Sequence, residues 1–362
     1  MAKRVLLGMS GGIDSTVSAL LLQEQGYEVV GVTFRTFDSI SESCIAKEKG
    51  CCSVESIMEA KQNARKMGIE HRIVDFRDTF REHVIQNFID EYLVGRTPNP
   101  CVLCNSFIKW GEMLRLADEL MCDYVATGHY ARIAEHNGQI YLKRAADEKK
   151  DQTYFLWRLT EENLQRTLFP LGELTKHEVR DIARQHGYVK LAEKAESQEI
   201  CFVPDNDYRR FLRENAADYA ERVHEGAFVD TEGHVVGTHA GCCNYTIGQR
   251  KGLGIALGKP VYVTSINTEH NTVTLGSHND LYTSCLHATD AHVRDAEWLG
   301  CEPQVEARIR YRSNAAKAVV KVQKNDSATF TLSFDEPVWG ATPGQSVVLY
   351  KDDLVVGGGL IA

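Results

Sequence analysis

The chain has 362 residues, of which 43% are hydrophobic and 25% charged, and its formal net charge is -9. This composition is typical of a globular protein with room for two or three domains. No apolar run approaches the roughly 18 residues of a transmembrane helix, and the first residues lack the pattern of a signal peptide. We therefore expect a cytoplasmic protein with no membrane partner. The acidic balance disfavours nucleic-acid binding on average, although a local basic patch would suffice for it.

The first predicted elements are a buried strand over residues 4–9, a glycine loop, and an amphipathic helix over residues 15–25 that Gly26 ends. Backbone N–H groups and hydroxyls at a helix N-terminus bind phosphates. No lysine follows the glycines, which excludes the loop of kinases and GTPases. The segment resembles the SGGxDS loop of the ATP pyrophosphatases (the PP-loop enzymes), which split ATP between its α- and β-phosphates to adenylate a substrate. Its residues are Gly8, Met9, Ser10, Gly11, Gly12, Ile13, Asp14 and Ser15.

Strands and helices then alternate up to about residue 126. The apolar patterns predict strands over 28–34, 71–75 and 124–126 and helices over 54–67, 79–94 and 105–120. Such alternation predicts an α/β fold with a parallel sheet flanked by helices. Ligands of these sheets bind at the carboxyl ends of the strands, which is where the glycine loop lies.

The character of the chain changes after Tyr130. Strands over 130–133 and 139–144 flank a hairpin turn at Asn137-Gly138, and helices follow over 161–167, 175–187 (with Thr175 as its N-cap) and 208–215. Evenly spaced strands over 305–311, 317–322, 329–334 and 346–350 predict a small antiparallel β-barrel. We expect three domains: an ATP-binding and catalytic domain over 1–205, a small mixed central domain over 206–287, and the barrel over 288–362.

The cysteines indicate sulfur or metal chemistry. Eleven cysteines in a chain of this size and expected compartment favour metal, cluster or catalytic roles, and several are expected to be buried packing residues. Cys101 and Cys104 follow two prolines and precede a predicted helix, whose N-terminus would lower a thiol pKa. Their Cys-x-x-Cys spacing fits a redox pair, two metal or cluster ligands, or one nucleophile beside an incidental thiol. Cys201, between Ile200 and Phe202, is by itself typical of a buried core thiol.

Two further patterns each allow two interpretations. Gly128 follows a predicted strand, where a glycine either lets a ligand approach the backbone or simply forms a turn. His129 beside it fits a ligand contact and a core or capping histidine equally well. Basic residues form either solvated faces or a surface for a phosphate backbone. In a strand, alternate residues share one face, so three arginines would lie together. The basic residues are Lys143, Arg144, Lys149, Lys150, Arg308, Arg310 and Arg312.

The combination of motifs is far more specific than any one of them. They occur in this order: residues 8–15 (GMSGGIDS), 97–105 (TPNPCVLCN), 127–130 (TGHY), 150–152 (KDQ), 197–202 (SQEICF), 245–253 (YTIGQRKGL) and 343–346 (PGQS). From about residue 3 to its end the chain resembles the tRNA-specific 2-thiouridylases of the bacterial MnmA type.

The resemblance implies ATP-dependent 2-thiolation of the wobble uridine of tRNA. ATP is held by the loop residues above, with Phe34 and Gly128 near the adenosine and Mg²⁺ on the phosphates, beside Asp14. Adenylation of the uridine C2 oxygen creates an AMP leaving group, which sulfur then replaces. Cys201 carries the sulfur as a persulfide and Cys104 is the partner thiol, a division of roles that thiol chemistry requires. The persulfide would come from a donor protein, a cysteine desulfurase or a relay.

The resemblance also implies contacts with the RNA. Asn99, Pro100 and Cys101 correspond to the segment that touches the target base. The corresponding tRNA contacts are His129, Lys150, Asp151, Gln152, Tyr311, Arg312 and Gln345.

One residue departs from the family pattern. The family usually has N-P-D-x-x-C, whereas Cys101 stands here at the position of the aspartate. A thiol is a poor acid–base substitute at neutral pH, so a role of that aspartate does not carry over. Our alternative hypothesis is that Cys101, Cys104 and Cys201 hold a [4Fe–4S] cluster with one iron open to bind sulfide.

Some alternatives stay open at this stage. Cys44, Cys51 and Cys52 fit a second metal site or incidental thiols in a loop, and the sequence gives no role for Cys242 and Cys243. The enzymatic rival is another PP-loop ligase or amidotransferase acting on a small molecule, which would need neither paired thiols nor a basic barrel. A non-enzymatic RNA-binding scaffold would be expected to lack Asp14 or a loop serine, and both are present.

Overall fold

The computed structural model of the chain describes residues 2–38, 54–194, 200–323 and 326–362, with the side chains of residues 326 and 327 left out. The chain forms two compact units. The first comprises Met1–Ile85, Cys101–Asp207 and Asp353–Val355, and the second comprises Gln86–Pro100, Tyr208–Asp352 and Val356–Ala362. The three-domain division expected from the sequence stays a prediction.

A five-stranded parallel sheet forms the centre of the first unit, as the strand–helix alternation predicts. Its strands lie in the spatial order Glu70–Asp75, Glu28–Arg35, Arg4–Gly8, Tyr124–Ala126 and Thr167–Leu168. Arg4–Gly8 is therefore the central strand, and the chain leaves it first to one side and later to the other. Ligands of open α/β sheets bind at such a reversal of strand order.

Apolar packing joins the helices to this sheet. Val5 and Leu7 pack with Ala19 and Leu22 of the first helix and with Ala60 and Ala64 of the helix Val54–Lys66. Val17 and Leu20 of the first helix pack in turn against Val179 and Ala183. Leu6 is also fully buried, so the central strand is apolar on both faces, as is typical of a parallel sheet. The helical segments of this unit are Ile13–Glu24, Val54–Lys66, Arg77–Phe80, Glu161–Gln165, Lys176–Gln185 and Val189–Glu193, the 3₁₀ turn Thr153–Phe155, and the continuous run Pro100–Leu103, Cys104–Glu112 and Met113–Glu119.

Two helices predicted as regular are interrupted by π-helical turns. The segments Arg81–Ile85 and Cys104–Glu112 are π-helical, and the second helix begins at Pro100 rather than near Asn105. A π-turn shifts the face that later residues present, and such turns are frequent at functional sites. Apolar periodicity alone does not reveal this shift.

Local signals in the sequence are confirmed. Strands Arg132–His136 and Gln139–Lys143 form the predicted hairpin, with positive φ at Asn137 (52°) and Gly138 (76°). Thr175 caps the helix Lys176–Gln185 together with Glu178 in a capping box.

The second unit contains a small mixed sheet. Its strands lie in the order Tyr262–Asn267, Thr272–Gly276, Gly226–Val229 and Val235–His239, and the middle pair is parallel. Phe228, Val263 and Val273 form its core with Cys242, which explains the cysteine pair that had no predicted role. Burial raises the pKa of the Cys243 thiol to about 12, as expected for a packing residue.

Six antiparallel strands form the predicted barrel. They lie in the order Tyr282–Val293, Asp326–Trp339, Ala316–Gln323, Gln304–Arg308, Ser346–Lys351 and Leu354–Ile361, and the last strand pairs with the first to close the ring. The helical segments of this unit are Gln86–Leu93, Tyr208–Asn215, Tyr219–Arg222 and Ala296–Cys301, with 3₁₀ turns at Cys242–Asn244 and His278–Leu281.

Aromatic contacts explain why Gln86–Leu93 belongs to the second unit. Phe88 meets Phe211 with ring centroids 5.8 Å apart, and Tyr92 stacks on Tyr208 at 4.4 Å. Among the described residues, no helix is long and apolar enough to cross a membrane.

Candidate active site

A cavity of about 240 Å³ lies at the carboxyl ends of the central strands of the first unit. It brings together residues that the sequence scattered over nearly 200 positions. The sequence predicted these of its lining residues: Gly8, Met9, Ser10, Asp14, Ser15, Phe34, Cys104, Gly128, His129, Gln152 and Cys201. Sequence reasoning missed Val32, Thr33, Thr36, Phe80, Ile108, Lys109 and Thr127.

The glycine loop at one wall is organised by its own hydroxyl groups. Ser15 Oγ accepts from the Ser10 backbone N–H (3.2 Å) and donates to the Gly12 carbonyl (3.1 Å), while Thr16 Oγ1 donates to the same carbonyl (2.9 Å). The helix Ile13–Glu24 begins at Gly12 without a side-chain cap. No side chain caps its first N–H groups, and uncapped N–H groups at a helix start are suited to bind an anion.

Two glycines allow the loop to pack tightly. A Cβ on Gly11, whose φ is +77°, would lie 2.3 Å from the Ser56 carbonyl oxygen of the neighbouring helix. A Cβ on Gly128 would lie 2.9 Å from both the Asp14 carbonyl carbon and the Ser15 nitrogen. Gly128 therefore permits close approach of the loop itself, in addition to lining the cavity where we expected a ligand.

The carboxylate of Asp14 is paired within the protein. Lys176 Nζ donates to both of its oxygens (2.7 and 2.8 Å), and Tyr130 Oη donates to Oδ1 (2.9 Å). Lys176 is only 8% exposed. It lies 162 residues from Asp14 and follows the helix cap Thr175, so no local pattern could have revealed the pair.

Cys104 and Cys201 line the same cavity, and both are partly exposed. Phe202, 1% exposed, provides the packing at this point through ring contacts with Phe80 (5.7 Å) and Phe37 (6.3 Å). The neighbouring phenylalanine thus fills the core, and the interpretation of Cys201 as a buried core thiol is wrong.

Cys101 is exposed and does not line the cavity. Within the described ranges, no group of three or more His, Cys, Asp or Glu side chains is arranged to hold a metal ion. Cys44, Cys51, Cys52 and residues 196–199 lie outside the described residues.

His129 was expected to contact tRNA, but the structure encloses it. The side chain is 9% exposed, with Nδ1 2.7 Å from Thr127 Oγ1 and Nε2 3.4 Å from Lys109 Nζ. Burial, followed by the charge of Lys109, holds the pKa of His129 well below its usual range. The imidazole is therefore neutral at physiological pH.

The residues 150–152 divide into different roles. Asp151 is 2% exposed, and its Oδ1 accepts from Thr153 Oγ1 (2.9 Å) and the Ala145 N–H (3.2 Å), so the expected direct contact of its side chain with RNA does not fit this position. Gln152 lines the cavity, and its Oε1 accepts from the Tyr130 N–H (2.9 Å). The tRNA contact of the partly exposed Lys150 stays a prediction.

In the second unit, the closing PGQS motif holds the segment that carries Asn99. Gln345 Nε2 donates to the carbonyl oxygens of Thr97 (3.0 Å) and Pro98 (2.9 Å), and the Thr97 N–H donates to the Pro343 carbonyl (2.8 Å). The side chain of Gln345 is thus engaged with this backbone. Asn99 is partly exposed and Pro100 is buried.

The predicted row of three arginines is wrong. The strand ends at Arg308, and a turn follows in which the Arg310 N–H donates to Ser313 Oγ (3.2 Å). The Arg308 guanidinium lies over the ring of Tyr350 (5.6 Å), whereas that of Arg310 lies over Trp339 (5.0 Å). The tRNA contacts of Tyr311 and Arg312, of which Arg312 is exposed, stay predictions.

Three family models match consecutive parts of the chain. The tRNA methyl transferase HUP domain matches residues 3–205, the tRNA methyl transferase PRC-barrel domain matches residues 214–277, and the aminomethyltransferase beta-barrel domain matches residues 288–361. They confirm the parallel-sheet domain, the central domain and the C-terminal barrel as a fold class.

Curated relatives match over the whole length. The tRNA-specific 2-thiouridylase MnmA 1 of Clostridium botulinum (strain Hall) is 47% identical over 361 residues, covering 100% of this chain and 99% of the relative. The tRNA-specific 2-thiouridylase MnmA of Amoebophilus asiaticus is 47% identical over 365 residues, covering 99% and 95%. A solved 4-thiouridine synthetase–RNA complex with bound ATP is 18% identical, with a TM-score of 0.37 over 60% of this chain and 52% of that chain, a likeness too distant to inform the site. The full-length matches, together with a PP-loop cavity that contains two cysteines, identify the chain as a member of the tRNA-specific 2-thiouridylase family.

Proposed function

We propose that this protein catalyses ATP-dependent 2-thiolation of the wobble uridine of tRNA. The observation that carries the proposal is that one cavity is lined both by the phosphate-binding loop and by Cys104 and Cys201. A PP-loop ligase without sulfur chemistry would need the loop but not the two thiols. Full-length similarity to relatives named as tRNA-specific 2-thiouridylases supports the same activity.

In the first step, the loop binds ATP and the uridine C2 oxygen attacks the α-phosphorus. Pyrophosphate leaves, and the C2 oxygen becomes bonded to AMP. The N–H groups at the start of the helix Ile13–Glu24 are suited to the phosphate oxygens, and Phe34 provides an apolar surface near the adenosine. The contribution of the protein to this step is orientation and charge stabilisation.

In the second step, sulfur replaces the adenylated oxygen. A donor protein, a cysteine desulfurase or a relay, would load Cys201 with a persulfide. The Cys104 thiolate attacks the Sγ atom of the Cys201 persulfide, so that the outer sulfur leaves as hydrosulfide and a Cys104–Cys201 disulfide forms. Hydrosulfide adds to C2 and AMP departs. The two thiols lose the two electrons that the sulfane sulfur gains, and a dithiol reductant restores them.

The residues fit ATP but not a protein-bound metal. Of the described lining residues, Asp14 is the one carboxylate, and both of its oxygens accept hydrogen bonds from Lys176. Mg²⁺ would therefore enter on the phosphates, without Asp14 as its ligand. A [4Fe–4S] cluster would require Cys101 beside the other two thiols, and Cys101 is exposed and outside the cavity.

The partners follow from this chemistry. A tRNA substrate and a persulfide donor would place the enzyme in the cytoplasm. For the RNA we retain Asn99, Lys150, Tyr311 and Arg312 as proposed contacts. We assign His129, Asp151 and Gln345 to positioning, because their side chains are engaged within the protein.

The test is thiolation of purified tRNA with ATP and a persulfide donor, followed by nucleoside mass spectrometry. We expect Cys104→Ser and Cys201→Ser each to lower 2-thiouridine formation by at least about 10³-fold, because each removes a thiol that takes part in bond making. ATP binding should stay unchanged in both. Cys301→Ser is the matched control, since this exposed cysteine lies in the second unit.

Two outcomes would contradict the proposal. Retained 2-thiouridine formation in both variants would show that Cys104 and Cys201 are not the thiols that transfer the sulfur. Unchanged wobble 2-thiouridine in tRNA from cells that lack the gene and any paralogue would exclude this substrate. Anaerobic purification with iron and sulfide assays tests the cluster separately, and fully active enzyme without iron would exclude it.

A further inference from the structure

The phosphate loop that lines the cavity contains no cationic side chain. No lysine follows the loop glycines, and the nearby Lys176 is paired with Asp14 through both carboxylate oxygens. Among the described residues that line the cavity, Lys109 is the one that carries positive charge. A bound nucleotide brings several negative charges into this partly desolvated space, where an ammonium group stabilises them strongly.

A π-helical segment brings Lys109 to the cavity. In a regular α-helix, residues five apart point about 140° away from each other. In the π-helix Cys104–Glu112 the hydrogen bonds join residues five apart, which places such residues on one side. Cys104 and Lys109 accordingly both line the cavity. The buried side chain of Trp110 fixes this segment to the sheet, since its indole N–H donates to Thr167 Oγ1 (2.7 Å).

His129 determines where the ammonium group lies. An ammonium group only donates hydrogen bonds, so its contact with His129 Nε2 (3.4 Å) requires an unprotonated Nε2. The ring proton is then on Nδ1 and is donated to Thr127 Oγ1 (2.7 Å). Burial keeps this imidazole neutral, which prevents repulsion of the lysine. One N–H of Lys109 is used in this contact, and the other two have no hydrogen-bond partner among the described residues, which leaves them for a ligand.

We propose that Lys109 binds a phosphoryl oxygen of the nucleotide and supplies the cation that the PP-loop lacks, with His129 as the residue that positions it. This inference rests on the proposed function for the identity of the ligand and extends it to a specific residue. Lys109 contacts the nucleotide, whereas His129 acts through Lys109.

The test measures equilibrium binding of ATP, AMP and adenosine to the full chain by calorimetry. For Lys109→Gln we expect ATP and AMP to bind about 10- to 100-fold more weakly, because a charge-assisted hydrogen bond is lost. Adenosine has no phosphate, so its affinity should change less than about twofold. Lys109→Arg should retain most of the ATP affinity. Lys149→Gln is the control, since this exposed lysine does not line the cavity.

Two substitutions at His129 test the positioning role. His129→Gln keeps an acceptor near Lys109 and should keep the preference for ATP over adenosine. His129→Phe removes the acceptor and should reduce that preference several-fold while adenosine still binds. If His129→Phe lowers the affinities for adenosine and for ATP equally, the effect is purely structural, and the positioning role is overturned.

Further outcomes would overturn the role of Lys109. Unchanged ATP affinity in Lys109→Gln would do so, as would an equal loss of adenosine binding. A slower alkylation of Cys104 by iodoacetamide with unchanged ATP affinity would assign the lysine to the thiolate instead. The wild-type chain separates this inference from the proposed function: if it binds ATP but does not thiolate tRNA, the function fails while the binding comparison still stands.

Discussion

Two segments that the sequence marked as ligand-binding are positioned in different ways. The phosphate loop of the first unit is surrounded: it bonds to its own hydroxyls, Gly128 packs against its backbone, and Lys176 and Tyr130 hold Asp14. The segment at Thr97 and Pro98 in the second unit is held by the Gln345 amide, which donates to both of its carbonyls, and by the hydrogen bond from the Thr97 N–H to the Pro343 carbonyl. The loop therefore tolerates little displacement, whereas the other segment has a support that can be removed without disturbing a core.

Of the two segments, the loop is expected to show the larger effect. Gly128→Ala would place a Cβ 2.9 Å from backbone atoms of Asp14 and Ser15, which cannot rotate away as a side chain could. We expect about a 100-fold loss in thiolation rate, because displacing a reacting group by about 1 Å costs that much. Steady-state kinetics and ATP titration measure this. Gly300→Ala is the control, since its Cβ would meet nothing within 4 Å; equal behaviour of the two variants would refute the close-packing argument.

The pair behind the loop should have an intermediate effect. Lys176→Met leaves the Asp14 carboxylate without its ammonium partner, and we expect a loss of about 1–3 kcal/mol in the free energy of unfolding. This is below the value for a fully buried pair because the Asp14 side chain is 33% exposed. Urea denaturation provides the measurement. The double variant Asp14→Asn with Lys176→Met should recover part of the lost free energy of unfolding. Arg72→Gln is the control: it breaks an exposed ion pair and should change the free energy of unfolding by less than about 0.5 kcal/mol.

The smallest effect is expected in the second unit. Gln345→Ala removes both hydrogen bonds to the Thr97–Pro98 backbone, and we expect kcat/KM for tRNA to fall about 5- to 10-fold as that segment loosens, which corresponds to about 1 kcal/mol. ATP affinity should not change. Gln304→Ala, an exposed strand position, serves as the comparison. A Gln345→Ala enzyme with wild-type kinetics towards tRNA would mean that the segment needs no such support.

The errors of sequence interpretation share a cause. The arginines at 308, 310 and 312 would share a face only if the strand continued, and it ends at Arg308 because the following turn is stabilised by Ser313. Asp151 belongs to a motif that suggests contact with RNA, but neighbouring residues enclose its side chain. A motif shows which residues are neighbours in the sequence, whereas the burial of each side chain depends on the residues that pack against it in the fold.

The sequence by itself determined the strand–loop–helix start, the parallel sheet, the hairpin at Asn137-Gly138 and the Thr175 cap, because each depends on hydrogen bonds and periodicity within a few residues. Its motifs also sufficed to indicate the family. Only the tertiary structure decided that Lys176 pairs with Asp14, that Cys104 and Cys201 line one cavity, and that Lys109 is the cation among its described lining residues. Those relations depend on strand order and on a π-helical shift of register, and both arise from packing between elements that are distant in the chain.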